Sequence, residues 1–353
     1  MAAYTTIDDS SAFFQCTLYT GDGSTTHAIT NGGNSDLQPD MVWIKDRGAA
    51  NWHSITDVVR GHSKAIFPND PAAEDTSNAY VKAFNSDGFT LGSAGSDVNA
   101  NSNTYVSWQW KAGTSFTNDA SGTGIGSIDS AGSFNNDAGF SIVSWTGTLA
   151  NGTVKHGLST APKTIFIKCR GTGGRSWVVY HDSIGNTKHL TLSETDAEAT
   201  SSASFNNTSP TSSVFSLGSS NNANDNTTMI AYCFAEKQGY SKFGSYTGNG
   251  NANGTFIYTG QKSSFIIVKN TSSSTNWEMF DNKRVGYNPG NWHLKPNSSD
   301  AEDVGTVRLD ILSNGFKIRT TGSNLNTSGN NYIYMCFAEN PFVTSTGVPA
   351  CAR

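Results

Sequence analysis

The chain has 353 residues, a formal net charge of −5 and only 14% charged residues, and no run of Lys and Arg occurs in it. A protein that follows a nucleic-acid backbone needs a basic stripe, so this composition excludes nucleic acid as an expected partner. The longest apolar runs, such as 265–268, have the length of one strand, far below the ~20 residues of a membrane-spanning helix, so membrane insertion is excluded as well.

Three stretches of the chain carry the same series of predicted elements in the same order. An opening strand ends in an aromatic residue followed by Thr and Gly, at 19–21, 145–147 and 246–248. A second strand ends in lysine, at Lys45, Lys168 and Lys269. A tryptophan follows that strand, at Trp52, Trp177 and Trp277.

The series continues with an acidic patch and two more strands. The acidic patches lie at 70–75, 196–198 and 300–302. The short strands that follow them lie at 89–91, 214–217 and 316–318. The closing strands lie at 104–110, 228–236 and 331–339. Because at least six landmarks recur in one order, the sequence predicts three copies of one unit.

The spacing of these landmarks sets the expected limits of each unit. We predict an N-terminal attachment segment at 1–11, repeat 1 at 12–112, a linker at 113–137, repeat 2 at 138–237, repeat 3 at 238–342 and a C-terminal tail at 343–353. The linker is rich in Gly, Ser, Asn and Asp, and we expect one short strand in it, at 125–129. Because the junction between repeats 2 and 3 is short, we expect those two to pack closely. Repeat 1 is expected either to hinge or to be held by an ordered linker.

Each unit is predicted to be all-β. Abundant Ser, Thr, Asn and Gly suit short strands joined by turns and disfavour long helices. In the closing strand at 331–339, both alternating sets of side chains are apolar or aromatic, so both faces are expected to be buried. A sandwich core accounts for one face, and a loop, a neighbouring repeat or another subunit is expected to cover the other. The sequence therefore predicts three tandem β-sandwich (jelly-roll-like) domains.

Residues with catalytic or metal-binding chemistry form no recognisable motif. The seven histidines include no H-E-x-x-H pattern. The acidic patches are the only candidates for the carboxylate pair of a polysaccharide depolymerase, but their recurrence in every unit favours a helix cap or a turn. The Asn-rich turns at 99–101, 222–225 and 324–326 offer oxygens to Ca²⁺, yet the pattern is typical of ordinary Asx turns. We expect no catalytic residue, no cofactor, no metal and no enzyme activity.

The tryptophans are the residues best suited to binding an outside partner. Those that recur in every unit, Trp52, Trp177 and Trp277, are interpreted as core anchors. Trp43, Trp108 and Trp110 belong to repeat 1 alone, and Trp108 and Trp110 lie on one face of a strand. We therefore expect Trp43, Trp108 and Trp110 to contact another protein or a glycan.

Four segments resemble repeats in virion structural proteins of marine tailed phages such as cyanophages. They are 3–9 (AYTTIDD), 246–250 (YTGNG), 312–316 (LSNGF) and 337–342 (FAENPF). The resemblance extends over nearly the whole chain. Because those proteins are often labelled tail-fibre-like, the resemblance implies a non-enzymatic structural protein of the bacteriophage virion.

The resemblance leaves the place on the particle open. A tail-fibre-like protein would form a homotrimer and serve host attachment by binding a host-surface glycan. A capsid decoration or head-fibre protein would bind capsomers, and a polysaccharide-binding or depolymerase module is a third alternative. The expected partners are thus other virion proteins of the tail or capsid, a host-surface glycan and further copies of this chain. Residues 1–14 lack the basic and apolar regions of a secretory signal, so we expect synthesis in the host cytoplasm and localisation to the virion.

Overall fold

The computed structural model describes residues 3–77, 80–93 and 95–351. Strands account for 39% of the residues and helices for 6%, which confirms the all-β prediction. Every α-helix within the described residues has four residues, one turn each. No helix in those ranges has the length and hydropathy that crossing a membrane requires.

Repeat 1 contains a four-stranded antiparallel sheet and a smaller three-stranded sheet. Its strands are β1 Phe14–Thr20, β2 Ala28–Ile29, β3 Met41–Asp46, β4 Ser54–Asp57, β5 Val81–Phe84, β6 Phe89–Leu91 and β7 Thr104–Trp110. The strand order is β1-β7-β3-β4 in the larger sheet and β2-β6-β5 in the smaller. A 3₁₀ turn at Ser10–Ala12 precedes β1 and begins with an Asp9 cap.

Repeat 2 contributes to an eight-stranded sheet. The strands from residue 113 to 237 are β8 Thr114–Asn118, β9 Ser130–Asn135, β10 Phe140–Thr146, β11 Gly152–Lys155, β12 Thr164–Cys169, β13 Val178–His181, β14 Lys188–Thr191, β15 Ala199–Thr200, β16 Val214–Leu217 and β17 Thr228–Phe234. The large sheet has the order β15-β14-β13-β12-β17-β10-β9-β8, and β11 pairs with β16 in a second sheet. The helical turns are α1 Ala120–Thr123, α2 Ser202–Phe205, α3 Asn221–Asn224 and a 3₁₀ turn at Asp182–Ile184.

Repeat 3 has the same plan as repeat 1. Its elements are β18 Ser241–Thr247, β19 Phe256–Tyr258, β20 Gln261–Asn270, β21 Glu278–Asp281, β22 Leu309–Leu312, β23 Gly315–Ile318, α4 Ser323–Asn326 and β24 Asn331–Pro341. The larger sheet has the order β18-β24-β20-β21 and the smaller β19-β23-β22.

One strand order therefore occurs three times along the chain. In each repeat the opening strand pairs with the closing strand, the closing strand with the lysine-bearing strand, and that strand with a fourth; the three sets are β1-β7-β3-β4, β10-β17-β12-β13 and β18-β24-β20-β21. The lysine-bearing strands are rich in β-branched and aromatic residues, which fit a pleated surface covered on both faces. The recurring sequence landmarks thus correspond to a recurring sheet topology, while the domain limits given above stay predictions.

The Gly- and Ser-rich stretch at 113–137 is part of a sheet. β8 and β9 pair with each other, and β9 pairs with β10 from Phe140 opposite Asn135 to Trp145 opposite Ser130. The predicted strand at 125–129 is wrong, because only Ile128 of that segment forms an isolated β-bridge, with Val154. Backbone pairing at a sheet edge orders this stretch despite its turn-like composition.

Both faces of every closing strand are buried, as predicted. From the second residue onward, β7 and β17 are buried throughout, and so is the matching part of β24. One face of each strand enters one core that all three repeats share; its residues there are Val106, Trp108, Trp110, Ile230, Tyr232, Phe234, Ile333, Met335 and Phe337. The opposite face packs into a core within its own repeat. The second face of each closing strand was expected to be covered by a loop, a neighbouring repeat or another subunit. Neighbouring repeats cover it.

The first described residues lie against repeat 3. Tyr4 donates its hydroxyl to the carbonyl oxygen of Gly260 (2.7 Å), and Thr5 donates to that of Gln238 (2.8 Å). Thr5 and Ile7 are buried. Residues 4–7 thus connect repeat 1 to repeat 3; residues 1 and 2 of the predicted attachment segment and 352 and 353 of the predicted tail lie outside the described residues.

Candidate functional site

The residues that recur in the sequence meet at the boundaries between repeats, which we call the ring interfaces. Each ring interface joins two repeats: 1 with 2, 2 with 3, and 3 with 1. Side chains of the lysine-bearing strand, the fourth strand and the acidic patch form them.

At each ring interface, a nitrogen of a Trp or His side chain forms a hydrogen bond with a backbone carbonyl oxygen of the adjoining repeat. The pairs and their N···O distances are Trp177 with Phe67 (2.8 Å), Trp277 with Thr191 (3.0 Å) and His53 with Lys295 (3.1 Å). Repeat 2 thereby bonds repeat 1, repeat 3 bonds repeat 2, and repeat 1 bonds repeat 3. The contacts close into a cycle, as they do around a threefold axis.

The predicted core role of Trp52 is wrong. Trp52 is 39% exposed, and its ring lies against Phe67 with 4.9 Å between centroids. His53 is the residue directly before β4, as Trp177 is directly before β13. Histidine thus takes the anchoring position in repeat 1, one residue away from the tryptophan that the sequence pattern selects.

The hydrogen bonds of His53 define its tautomer. Trp43 donates its indole N–H to His53 Nδ1 at 3.0 Å. The proton of the neutral ring therefore lies on Nε2, which faces the Lys295 carbonyl oxygen. Burial lowers the pKa of His53 well below its usual range, so the ring is a neutral structural donor at neutral pH.

The recurring lysines are fully buried, and two of them cross a ring interface. The Lys168 ammonium donates to the Pro71 carbonyl oxygen of repeat 1 at 3.0 Å. The Lys269 ammonium donates to the Thr195 carbonyl oxygen of repeat 2 at 2.9 Å. Both also bond a carbonyl in their own repeat. Carbonyl oxygens compensate the loss of hydration that burial imposes on an ammonium group.

Lys45 keeps the same place in repeat 1 but bonds within it. Its ammonium donates to the carbonyl oxygens of Asp46 (2.6 Å) and Ala49 (3.0 Å). Burial lowers the pKa of Lys45 and of its two counterparts to about 8. All three lysines still carry their charge largely at pH 7, where backbone oxygens stabilise it.

The acidic patches also lie at the ring interfaces. One glutamate of each patch donates its backbone N–H to a carbonyl in the adjoining repeat; the pairs are Glu74 with Arg170 (2.9 Å), Glu198 with Thr271 (3.0 Å) and Glu302 with Arg47 (2.8 Å). These contacts join the same three pairs of repeats as the Trp and His bonds, with the donor and acceptor repeats exchanged. The patches therefore hold repeats together. Of the helix cap or turn that the sequence pattern favours, a turn is present at Asp70, whose carboxylate accepts from the Ala72 N–H at 2.7 Å.

Two of these glutamates bridge arginines from two repeats. Glu302 accepts from Arg284 of its own repeat and from Arg47 of repeat 1, each at 2.9 Å. Glu74 likewise accepts from Arg60 at 3.1 Å and from an arginine of repeat 2. The oxygens of each carboxylate are thus engaged by guanidinium groups from two repeats, which suits an assembly contact.

The closing strands complete two ring interfaces with buried hydrogen bonds. Tyr232 donates its hydroxyl to Asp57 Oδ2 at 2.7 Å, and Trp108 donates its indole N–H to Asp281 Oδ2 at 3.1 Å. Each aspartate also pairs with an arginine three residues later, at 2.6 Å. At the third interface Met335 has no polar atom to donate, and His181 Nε2 instead bonds the Tyr334 carbonyl oxygen at 3.2 Å.

Three aromatic rings, one from each closing strand, lie close together in the shared core. Centroid distances are 6.3 Å between Trp110 and Phe234, 5.6 Å between Trp110 and Phe337, and 5.7 Å between Phe234 and Phe337. These distances fall in the range of attractive edge-to-face contacts. One ring from each repeat thus contributes to the centre of the shared core.

The structure places Trp43, Trp108 and Trp110 inside the shared core, where each is 1% exposed or less. The expected contact with an outside protein or glycan is therefore corrected. Each packs against other parts of this chain, because the apolar faces that looked unpartnered in the sequence of repeat 1 are covered by repeats 2 and 3.

The Asn-rich turns hold loops by amide hydrogen bonds. Asn224 donates to the carbonyl oxygens of Ala150 (2.7 Å) and Gly218 (3.1 Å) and accepts from the Thr148 N–H (3.2 Å). Asn99 and Asn326, at the corresponding positions, are also fully buried. Their side chains bind backbone groups of loops that are distant in sequence, whereas an Asx turn bonds the backbone two residues on, so the Asx-turn interpretation is wrong for these three residues. No group of three or more His, Cys, Asp or Glu suited to a metal ion occurs within the described residues.

The sequence identifies most residues of the ring interfaces as recurring landmarks, but it does not show that they meet between repeats. His53 was interpreted as a structural residue beside the repeat tryptophan, but four arginines were not singled out: Arg47, Arg60, Arg170 and Arg284. A signal was present for one pair, because Arg60 and Arg284 both lie three residues after an aspartate. Their partners are distant in sequence, so the spacing alone does not reveal the contact.

One protein-family model matches this chain, over residues 9–341, and its description is "Domain of unknown function (DUF7483)". The single match begins before repeat 1 and ends at the last residue of β24, so it spans all three repeats. No curated protein matches the chain.

Proposed function

The chain belongs to the Domain of unknown function (DUF7483) family, and from this premise we propose that it is a non-enzymatic structural protein of a tailed-phage particle. We further propose that its repeats are three tandem β-sandwich (jelly-roll-like) domains joined into one ring. The family model spans all three repeats in one match, which supports the ring as the unit that functions.

One observation carries this proposal: most of the polar residues that recur in every repeat form contacts between repeats. Two of the three lysines, all three anchoring Trp or His residues and all three glutamates bond carbonyl oxygens of the adjoining repeat. Repeating units of an enzyme would be expected to direct such residues into an open cleft. Here they serve assembly, which is what a rigid particle component needs.

For the place on the particle, we propose a tail-fibre-like role in host attachment. Phe256 and Tyr258 of β19 are 45% and 54% exposed and lie on the same face of a strand in the outer sheet of repeat 3. Exposed aromatic residues on a rigid sheet are suited to binding a partner. The buried tryptophans of repeat 1 cannot contact a host glycan, and we propose that Phe256 and Tyr258 form the contact surface instead.

Capsid decoration is the second candidate, and the cyclic order of the ring contacts favours it. A single chain with three related faces can occupy a threefold position on a capsid, where a homotrimer would otherwise be required. A homotrimer of this chain stays a prediction. The depolymerase alternative has less support, because arginines hold two of the three recurring glutamates.

Electron microscopy of purified particles, labelled with gold-conjugated antibody against this chain, tests the proposal. We expect gold at the tail or its fibres. Gold over the head would favour capsid decoration. Particles that contain no copy of the chain by mass spectrometry would overturn the virion assignment altogether.

A further inference from the structure

The three repeats differ at one edge of their larger sheets. The opening strand is an edge strand in repeats 1 and 3, where the closing strand is the one strand that pairs with β1 and with β18 among the described residues, apart from an isolated bridge between Ser241 and Lys237. In repeat 2 the edge is occupied, because β9 pairs along β10. The stretch at 113–137, which has no counterpart in the other repeats, supplies the added strand.

The place that β9 fills has two walls. One wall is the loop after β11, where a Cβ on Gly157 would lie 2.8 Å from the ring of Phe134. The other wall is Val58 and Val59 of repeat 1, which line a cleft together with residues 131–133 of β9. Gly132 must be small, because a Cβ there would lie 2.2 Å from the Ile142 carbonyl oxygen.

The same place beside β1 is an open groove of about 460 Å³. Its floor is β1, and one wall is the loop at 30–34, which follows β2 as the loop of Gly157 follows β11. The other wall includes Asn282 and Lys283 of repeat 3. These two follow Asp281 at the end of β21, as Val58 and Val59 follow the last residue of β4. The groove thus corresponds to the position of β9.

The groove presents what an added strand requires. Every second residue of an antiparallel edge strand directs its N–H and C=O away from the sheet, so β1 offers unpaired backbone groups along the floor. Leu18, which is 37% exposed, supplies an apolar contact. Asp9, Lys283 and Glu339 line the groove with charges of both signs.

We propose that this groove accepts a β-strand from another protein of the assembly. The occupant is an extended segment of about six residues with small side chains such as Ser, Ala and Gly, as in β9, and it pairs antiparallel with β1. This identifies a partner class for the proposed function and rests on it. The corresponding edge of β18 is less suited, because Tyr4 lies in its groove of about 290 Å³.

A labelled peptide with the sequence of residues 129–137, DSAGSFNND, is the probe. We expect it to bind the full chain by fluorescence anisotropy and to slow hydrogen exchange at 14–18. The same peptide with proline in place of the serine at its fifth position lacks a pairing N–H and should not bind.

Two protein variants make the assignment specific. Gly32 lines the groove and has no heavy atom within 4 Å of an added Cβ, so the backbone has room for a side chain there and Gly32→Trp adds a large ring beside the groove. It should weaken peptide binding by at least about 10-fold. Gly48, which is exposed in a different loop, is the matched control, and Gly48→Trp should bind as the wild type does.

Three results would overturn the inference. They are no slowing of exchange in β1 at millimolar peptide, equal loss of binding in both glycine variants, and a concentration-dependent dimer that Gly32→Trp abolishes, which would make a second copy the occupant. Peptide binding does not depend on the particle, so its failure and the failure of antibody labelling are distinguishable.

Discussion

Trp177 donates its indole N–H to the carbonyl oxygen of Phe67 at 2.8 Å, across the boundary between repeats 2 and 1. The indole is fully buried and belongs to the core that all three repeats share. One side chain therefore stabilises both its own repeat and the interface with the preceding one.

Trp177→Phe should destabilise the protein by about 2–4 kcal/mol. The variant leaves the Phe67 carbonyl oxygen without its donor and leaves a small cavity. Urea unfolding, monitored by circular dichroism, measures the change. Trp52→Phe is the control, because Trp52 is 39% exposed and provides none of the ring-nitrogen bonds between repeats, and it should change stability by less than about 1 kcal/mol. Equal effects in the two variants would contradict the anchoring role of Trp177.

Phe234→Ala should lower the free energy of unfolding by about 3–5 kcal/mol, because it removes one of the three rings at the centre of the shared core. The loss should weaken all three repeats together, since Phe234 contacts Trp110 and Phe337. Calorimetry is expected to show one transition at a lower Tm. Phe256→Ala, at an exposed position, should leave Tm nearly unchanged. A variant in which only repeat 2 melts early would count against a shared core.

Acid should weaken the ring through His181. Burial lowers the pKa of His181 to about 4, whereas the unfolded chain takes up this proton near pH 6.5. Stability from this group is therefore lost as pH falls from about 6.5 to about 4, and the loss between pH 8 and pH 5 is about 2 kcal/mol. His181→Gln should reduce the pH dependence of urea unfolding by that amount. His62→Gln, at an exposed position, should leave it unchanged.

Glu278 should have the opposite pH dependence. Its carboxylate is buried beside His293, with 3.3 Å between Oε2 and Nε2, and burial raises its pKa to about 7. The unfolded chain releases the proton first, so stability falls as pH rises from about 4.5 to about 7. Glu278→Gln should therefore raise the free energy of unfolding by about 2–3 kcal/mol at pH 8 and by little at pH 4.5. If the gain is the same at both pH values, or if exposed Glu194→Gln matches it, ionisation of Glu278 is not the cause.

The sequence predicts the repeat and its strands because these depend on local pattern. Both faces of β24 are apolar, so burial on both sides follows from periodicity alone. What covers the second face depends on packing between distant segments, which no local pattern encodes. Trp43, Trp108 and Trp110 were therefore expected at an outside contact, whereas other repeats bury them.

Two further errors have definite physical causes. Trp52 was matched to Trp177 by residue type, but the loop after Lys45 places His53 directly before the fourth strand. The short strand expected at 125–129 lies instead at Ser130–Asn135, because main-chain pairing with the open edge of β10 orders β9 there. In both cases a tertiary contact outweighs local preference.

Hydrogen exchange of the full chain in increasing, sub-denaturing urea tests most directly whether the three repeats form one closed unit. We predict that the amides of β7, β17 and β24 become exchangeable together, at one free energy of opening close to that of global unfolding. Loss of protection in one closing strand while the other two stay protected would contradict the shared core and the ring built on it.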